Sequence, residues 1–121
     1  MNTGQWSAKA IAEAGRYGKV QVVASNSAQR GLTIPLQDTW EPLADNTAYL
    51  HYTPNETIGG VEFDFIPEVD VPLVADFSSS ILSEPLDVNR FGVIYAGAQK
   101  NIGPAGLVIA IVRKDLLGCN E

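Results

Sequence analysis

The sequence predicts an α/β layer, and only part of one. Three observations point there. Several short runs rich in Val, Ile and aromatic residues are bounded by Gly, Pro or Asn, as strands are. One segment near the start repeats aromatic and Ala residues at helical spacing. No internal repeat is visible, and the connections are short. Between Tyr52 and Val93 the helical signal is too sparse for a complete doubly wound fold, so the chain reads as a portion of a sheet.

Residues 4–17 read as a helix, with Trp6, Ala10, Ala14 and Tyr17 on one stripe and Gly15 and Gly18 at its end. The stripe predicts a core-facing side. The chain enters this helix directly, which resembles the middle of a domain more than its start. Residues 20–24 (VQVVA) predict a strand. Residues 25–43, broken by Gly31, Pro35 and Pro42, predict a loop with a helical turn near 36–40. Residues 47–52 (TAYLHY) predict an internal strand, and 53–60 (TPNETIGG) a polar loop at its end. Residues 61–66 alternate, as a half-exposed edge strand or an extended segment does. Residues 73–76 (LVAD) predict a short strand closed by a carboxylate, followed by three serines. Residues 91–95 and 107–112 predict two buried strands flanking a glycine-rich turn. Residues 113–117 read as the start of a helix.

Composition narrows the function. The 121 residues suit one domain, and 45% hydrophobic content supports a packed core. A net charge of -6 argues against nucleic-acid and anionic-membrane surfaces. No apolar stretch approaches the ~20 residues that span a bilayer. No secretory signal is visible, and the single Cys119 cannot form an internal disulfide, so a cytoplasmic protein is expected. For the same reason the glycosylation pattern at Asn55-Glu56-Thr57 reads as chance. With one His (His51) and one Cys, a Cys/His zinc site is not available. The lysines Lys9, Lys19, Lys100 and Lys114 are the main supply of acid-base groups. Only Lys100 lies in a glycine-rich turn between two apolar runs. Two readings stand open for it. Desolvation could free its amine for carbonyl chemistry, or it could snorkel to solvent from a hairpin.

A strand ending in Asp76, a strand ending near Lys100 and a polar loop holding Thr57 are the equipment a pyridoxal-phosphate enzyme needs. The motif wording goes further. HYTPNETIGGVEF (51–63), VADFSSSILSEPLDVNRFGVIYAGAQKNIGPAGLVIAIVRKDLLG (74–118) and, more weakly, GQWSAKAIAEAGRYG (4–18) closely resemble the phosphoserine aminotransferases, within the class V pyridoxal-phosphate aminotransferases. The resemblance runs over essentially the whole chain. It implies the type I, aspartate-aminotransferase-like fold: a mostly parallel sheet with flanking helices, of which residues 1–121 are part of the large cofactor-binding domain. It implies that the small C-terminal domain, the cofactor-phosphate loop and the groups gripping substrate lie outside these residues.

The resemblance also assigns roles. Lys100 matches the Schiff-base lysine, which also moves the proton between the substrate α carbon and the cofactor. Asp76 matches the carboxylate facing the pyridine nitrogen, Trp6 the aromatic stacked on the ring, and Thr57 the hydroxyl near the phenolic oxygen. Gln99 matches a cofactor contact at the phosphate. The core aromatic of a helix remains the other reading of Trp6. His51 and Asn55 are expected in supporting roles, and Thr53 and Ser80 stand where the family varies. The implied cofactor is pyridoxal 5'-phosphate. The implied reaction moves an amino group between glutamate/2-oxoglutarate and phosphoserine/3-phosphohydroxypyruvate, for serine synthesis. A related step serves pyridoxine synthesis, and the implied assembly is a homodimer. The chain by itself is expected to show little turnover. The alternative is a truncated, non-catalytic module that self-associates or binds a partner.

Overall fold

The computed structural model describes residues 1–29 and 33–118. Cys119, Gly31 and the chain end lie outside the described residues. The helix α1 (Gln5–Ala14) forms where Gln, Ala, Lys and Glu dominate, and one turn past it the chain unwinds at Gly15 and Gly18. It is shorter than expected, and its stripe does not face a core. Tyr17 is 83% exposed, and Ser7 is the buried residue of α1. The helix meets the hairpin described next rather than a sheet face, so its Ala positions have no apolar layer to enter.

The strand β1 (Leu50–Tyr52) leads into a small antiparallel hairpin, β2 (Asn55–Glu56) and β3 (Val61–Glu62). Part of the expected polar loop is therefore a strand. Then come β4 (Leu73–Asp76), β5 (Val93–Gly97) and β6 (Val108–Val112). The main sheet has the order β1-β4-β5-β6, with β1, β4 and β5 parallel and β6 antiparallel to β5. The expected α/β, mostly parallel layer is present. The parallel crossovers through 53–72 and 77–92 contain no α-helix, only the short 3-10 turn Val88–Arg90. Their aromatic residues cover the sheet instead. Phe63 packs edge-on against Tyr52 at 5.2 Å, and Phe77 against Phe91 at 5.5 Å.

Four other expectations change. Residues 20–24 form no strand: Val23 and Ala24 are buried, but the segment bonds only piecemeal, Glu41 N–H donating to Val23 O and Asn2 N–H to Ala24 O. β1 is marginal in the sheet rather than internal, its outer side meeting the Met1 amino group at His51 O. The run 107–112 is a strand but not a buried one. Val108, Ile111 and Val112 are exposed, because β6 pairs with β5 alone and no described helix covers it. A 3-10 turn, Lys114–Leu116, stands where a helix was expected to begin. The turn at Leu36–Trp40 is present as the 3-10 turn Gln37–Thr39. No described helix is long and apolar enough to cross a membrane.

Strand alternation builds the site. Leu50, Tyr52, Leu73, Ala75, Ile94 and Ala96 point to the buried face. His51, Val74, Asp76, Val93 and Tyr95 occupy the opposite face, half buried. Asp76 lies opposite Tyr95 in register, at the C-terminal ends of parallel strands, where open α/β sheets place ligands.

Candidate active site

Asp76 ends β4, and its carboxylate is held by the serine turn that follows. Oδ1 accepts from Ser78 N–H at 3.0 Å and Ser78 Oγ–H at 2.6 Å. Ser78 Oγ in turn accepts from Gly97 N–H at 3.0 Å, tying the ends of β4 and β5 together. The glycine at 97 also leaves room for Gln99: a Cβ there would lie 2.7 Å from Gln99 Oε1.

Beside Asp76, the Tyr95 hydroxyl lies 2.9 Å from His51 Nε2, with the rings stacked at 5.9 Å. Burial, and then the neighbouring Asp76 carboxylate, push the Tyr95 hydroxyl well above its usual range, so it stays protonated. Burial, and then the Met1 amino group, hold His51 down to about 4, with Asp76 opposing. Both rings are therefore neutral at pH 7. The consequence for stability has a definite sign. Between 6.5 and about 4 the unfolded chain binds a proton that folded His51 refuses. That share of stability is complete above pH 6.5 and lost as pH falls towards 4. We expect it to be on the order of 2–3 kcal/mol. Urea midpoints at pH 7.5 and 4.5 measure it. His51→Phe should flatten the dependence, and a slope equal to wild type would remove His51 as its source.

Lys100 follows β5 in a turn closed by Ile102 N–H and Gly103 N–H donating to Ala98 O. Gly106, at φ 94, provides the left-handed residue that returns the chain into β6. Asn101 Nδ2–H donates to Ile81 O, pinning the turn to the segment after β4. The Lys100 side chain is exposed, so burial does not supply the desolvation considered for it. It nevertheless turns inward. Nζ–H donates to Thr57 Oγ1 at 2.9 Å and sits 5.0 Å from the Trp6 ring centroid. Trp6 Nε1–H also donates to Thr57 Oγ1, at 3.3 Å. Lys9 Nζ lies 4.6 Å from the same ring centroid.

Trp6, Asp76, Gln99 and Lys100 line one cleft of about 140 Å³, joined by Asn55 and Ser78. Thr57 adjoins it through its bonds to Trp6 and Lys100. The five residues singled out from the sequence, spread over positions 6 to 100, are thus brought together. Trp6 is a wall of this cleft and not a core aromatic. A larger depression, about 530 Å³ between residues 22–25 and 33–41, holds Glu41 but, among the described residues, no lysine.

Sequence reasoning passed over Ser78, Asn101 and Glu56. The serine run was visible but carried no direction. Glu56 was read only as a letter of a glycosylation pattern. It is fully buried, and its carboxylate accepts from Ser7 N–H at 2.7 Å and Trp6 N–H at 3.0 Å.

The profile of the class-V aminotransferases matches residues 1–120. A phosphoserine aminotransferase of Pseudomonas syringae pv. syringae is 62% identical over 119 residues, covering 98% of this chain and 33% of that protein. A phosphoserine aminotransferase structure from Bacillus circulans subsp. alkalophilus superimposes with a TM-score of 0.91 at 49% identity, over 95% of this chain and 32% of that one. A PLP-bound phosphoserine aminotransferase from Trichomonas vaginalis does so with a TM-score of 0.86 at 42% identity, over 95% and 33%. The chain spans about a third of the length of the relatives it matches.

Proposed function

The chain belongs to the class-V aminotransferase family, and from that premise we propose that it carries the cofactor-anchoring part of a pyridoxal-phosphate aminotransferase. The observation that carries this reading is the meeting of Lys100, Asp76, Trp6 and Gln99 on one cleft, with Thr57 bonded to Lys100. On it, residues 1–121 are part of the large cofactor-binding domain.

The donor set fits the group. An amine, a flat indole, an anchored carboxylate, a hydroxyl and an amide border the same space. When bound, pyridoxal 5'-phosphate supplies an aldehyde that condenses with amines and a ring that draws electrons from the substrate α carbon. Lys100 Nζ would anchor the cofactor and carry the proton at the α carbon. The Asp76 carboxylate, fixed by Ser78, would keep a proton on the ring nitrogen. Trp6 would cover the ring and exclude water. Thr57 Oγ1 accepts from both Lys100 and Trp6, so its own proton is left to donate to the phenolic oxygen. Gln99 donates towards the phosphate.

The relatives' name supports amino transfer involving phosphoserine. On this reading the substrates are glutamate with 3-phosphohydroxypyruvate, giving O-phosphoserine for serine synthesis. The phosphohydroxythreonine step of pyridoxine synthesis is the related reaction. A cytoplasmic homodimer belongs to the same reading. The 62% identity across 98% of the chain favours it over a non-catalytic module.

The test is covalent capture. After incubation with pyridoxal phosphate and borohydride reduction, peptide mapping should find one pyridoxyl group, on Lys100. Absence of label, or equal label on Lys9, Lys19 and Lys114, overturns the reading.

A further inference from the structure

We propose that Glu56 is a positioning residue that locks Trp6 and Thr57 into one rigid unit, so that two walls of the site cannot move apart. The inference rests on the cofactor-site reading above, which gives those walls their role.

The first turn of any helix leaves backbone N–H groups without intrahelical partners, and the macrodipole makes that end electropositive. Two side chains take such groups where the chain enters α1. Ser7 Oγ accepts from Thr3 N–H at 2.9 Å and Gly4 N–H at 3.0 Å. The Glu56 carboxylate takes those of Trp6 and Ser7, Oε2 from Trp6 N–H and Oε1 from Ser7 N–H. No ion pair to Glu56 occurs among the described residues, so the helix end itself supplies the balancing charge. The fit is tight. A Cβ on Gly4 would lie 2.5 Å from the Glu56 carboxyl carbon, so the residue before α1 is a glycine where the carboxylate passes.

The geometry matters because of what flanks it. Glu56 is followed directly by Thr57, whose hydroxyl meets both Trp6 and Lys100. One of the two N–H groups that Glu56 accepts from is that of Trp6 itself. Among the strands, β2 is the one α1 touches appreciably. One buried side chain therefore sets the distance between the indole and the hydroxyl, without touching the cofactor space.

Glu56→Gln, Glu56→Ala and Gly4→Ala, each made in the full chain, test this with two readouts. Fluorine NMR of 5-fluorotryptophan-labelled chain follows Trp6 with no cofactor present. Equilibrium titration with pyridoxal phosphate follows affinity. Two charge-assisted hydrogen bonds are lost in Glu56→Ala, so affinity should fall about 10- to 100-fold, with the Trp6 resonance moving towards its unfolded position and the Trp40 resonance unmoved. Glu56→Gln keeps the shape and one acceptor and should fall between wild type and Glu56→Ala. It is also the informative variant if Glu56→Ala fails to fold. Gly4→Ala should shift Trp6 in the same direction. An unmoved Trp6 resonance in Glu56→Gln and Gly4→Ala overturns the proposal. So does a moved resonance with unchanged affinity. If wild type itself does not bind pyridoxal phosphate, the cofactor reading fails, and the positioning role falls with it even where Trp6 moves.

Discussion

Lys100→Ala should lose covalent capture of pyridoxal phosphate by at least about 100-fold, with no other lysine taking over. Lys9 also reaches the Trp6 ring, but it does not line the cleft that Asp76 closes. Lys19 and Lys114 are exposed and do not line it. Lys100→Arg separates charge from nucleophilicity. It keeps a cation able to donate to Thr57 Oγ1, yet its guanidinium does not add to an aldehyde at neutral pH. It should be as unreactive as the alanine variant while binding the cofactor phosphate-ester form more tightly than that variant. Because Lys100 is exposed, neither substitution should change the unfolding free energy from urea titration by more than about 0.5 kcal/mol. Wild-type labelling yield at any lysine of the Lys100→Ala chain would refute the assignment.

Ile94→Ala should cost about 2–5 kcal/mol, a large share of what a domain of this size has. Ile94 is 1% exposed in the central strand β5, in register with Ala75 on β4 and Ile111 on β6. Its side chain sits on the buried face beneath the site, and Ala75 is too small to swing into the space it leaves. Val93→Ala is the control. Val93 is half buried on the opposite face and should cost clearly less. Urea unfolding followed by tryptophan fluorescence reads both. A loss below about 1 kcal/mol for Ile94→Ala would show that the core closes over the gap.

The residues of the site were more legible than the fold around them. Lys100 and Asp76 stand at strand ends marked by glycine and serine, and Thr57 sits in a polar segment beside paired glycines. Local sequence carries such punctuation directly. What it does not carry is cover. The VQVVA run of 20–24 and the LVIAIV run of 107–112 have the same apolar pattern as β4 and β5. Yet one finds no ladder partner and the other lies exposed, because burial depends on what packs against a strand and not on the strand itself. The α1 stripe misleads for the same reason. Trp6 leaves the helix to form a cleft wall, and Tyr17 meets solvent. Glu56 was invisible because its partners are backbone N–H groups some fifty positions away, which leave no residue-type signature.

The alternation along β4 gives Asp76 a second effect, on how the sheet pairs. Ala75 faces the core and Asp76 faces the cleft. A slip of one residue in the pairing of β4 would reverse them and drive a carboxylate into the layer of Leu50, Tyr52 and Ile94. An unpaired carboxylate there costs several kcal/mol, more than one mispaired strand recovers. The carboxylate that borders the cleft thus disfavours the nearest wrong alignment, and a neutral residue at position 76 would weaken that preference.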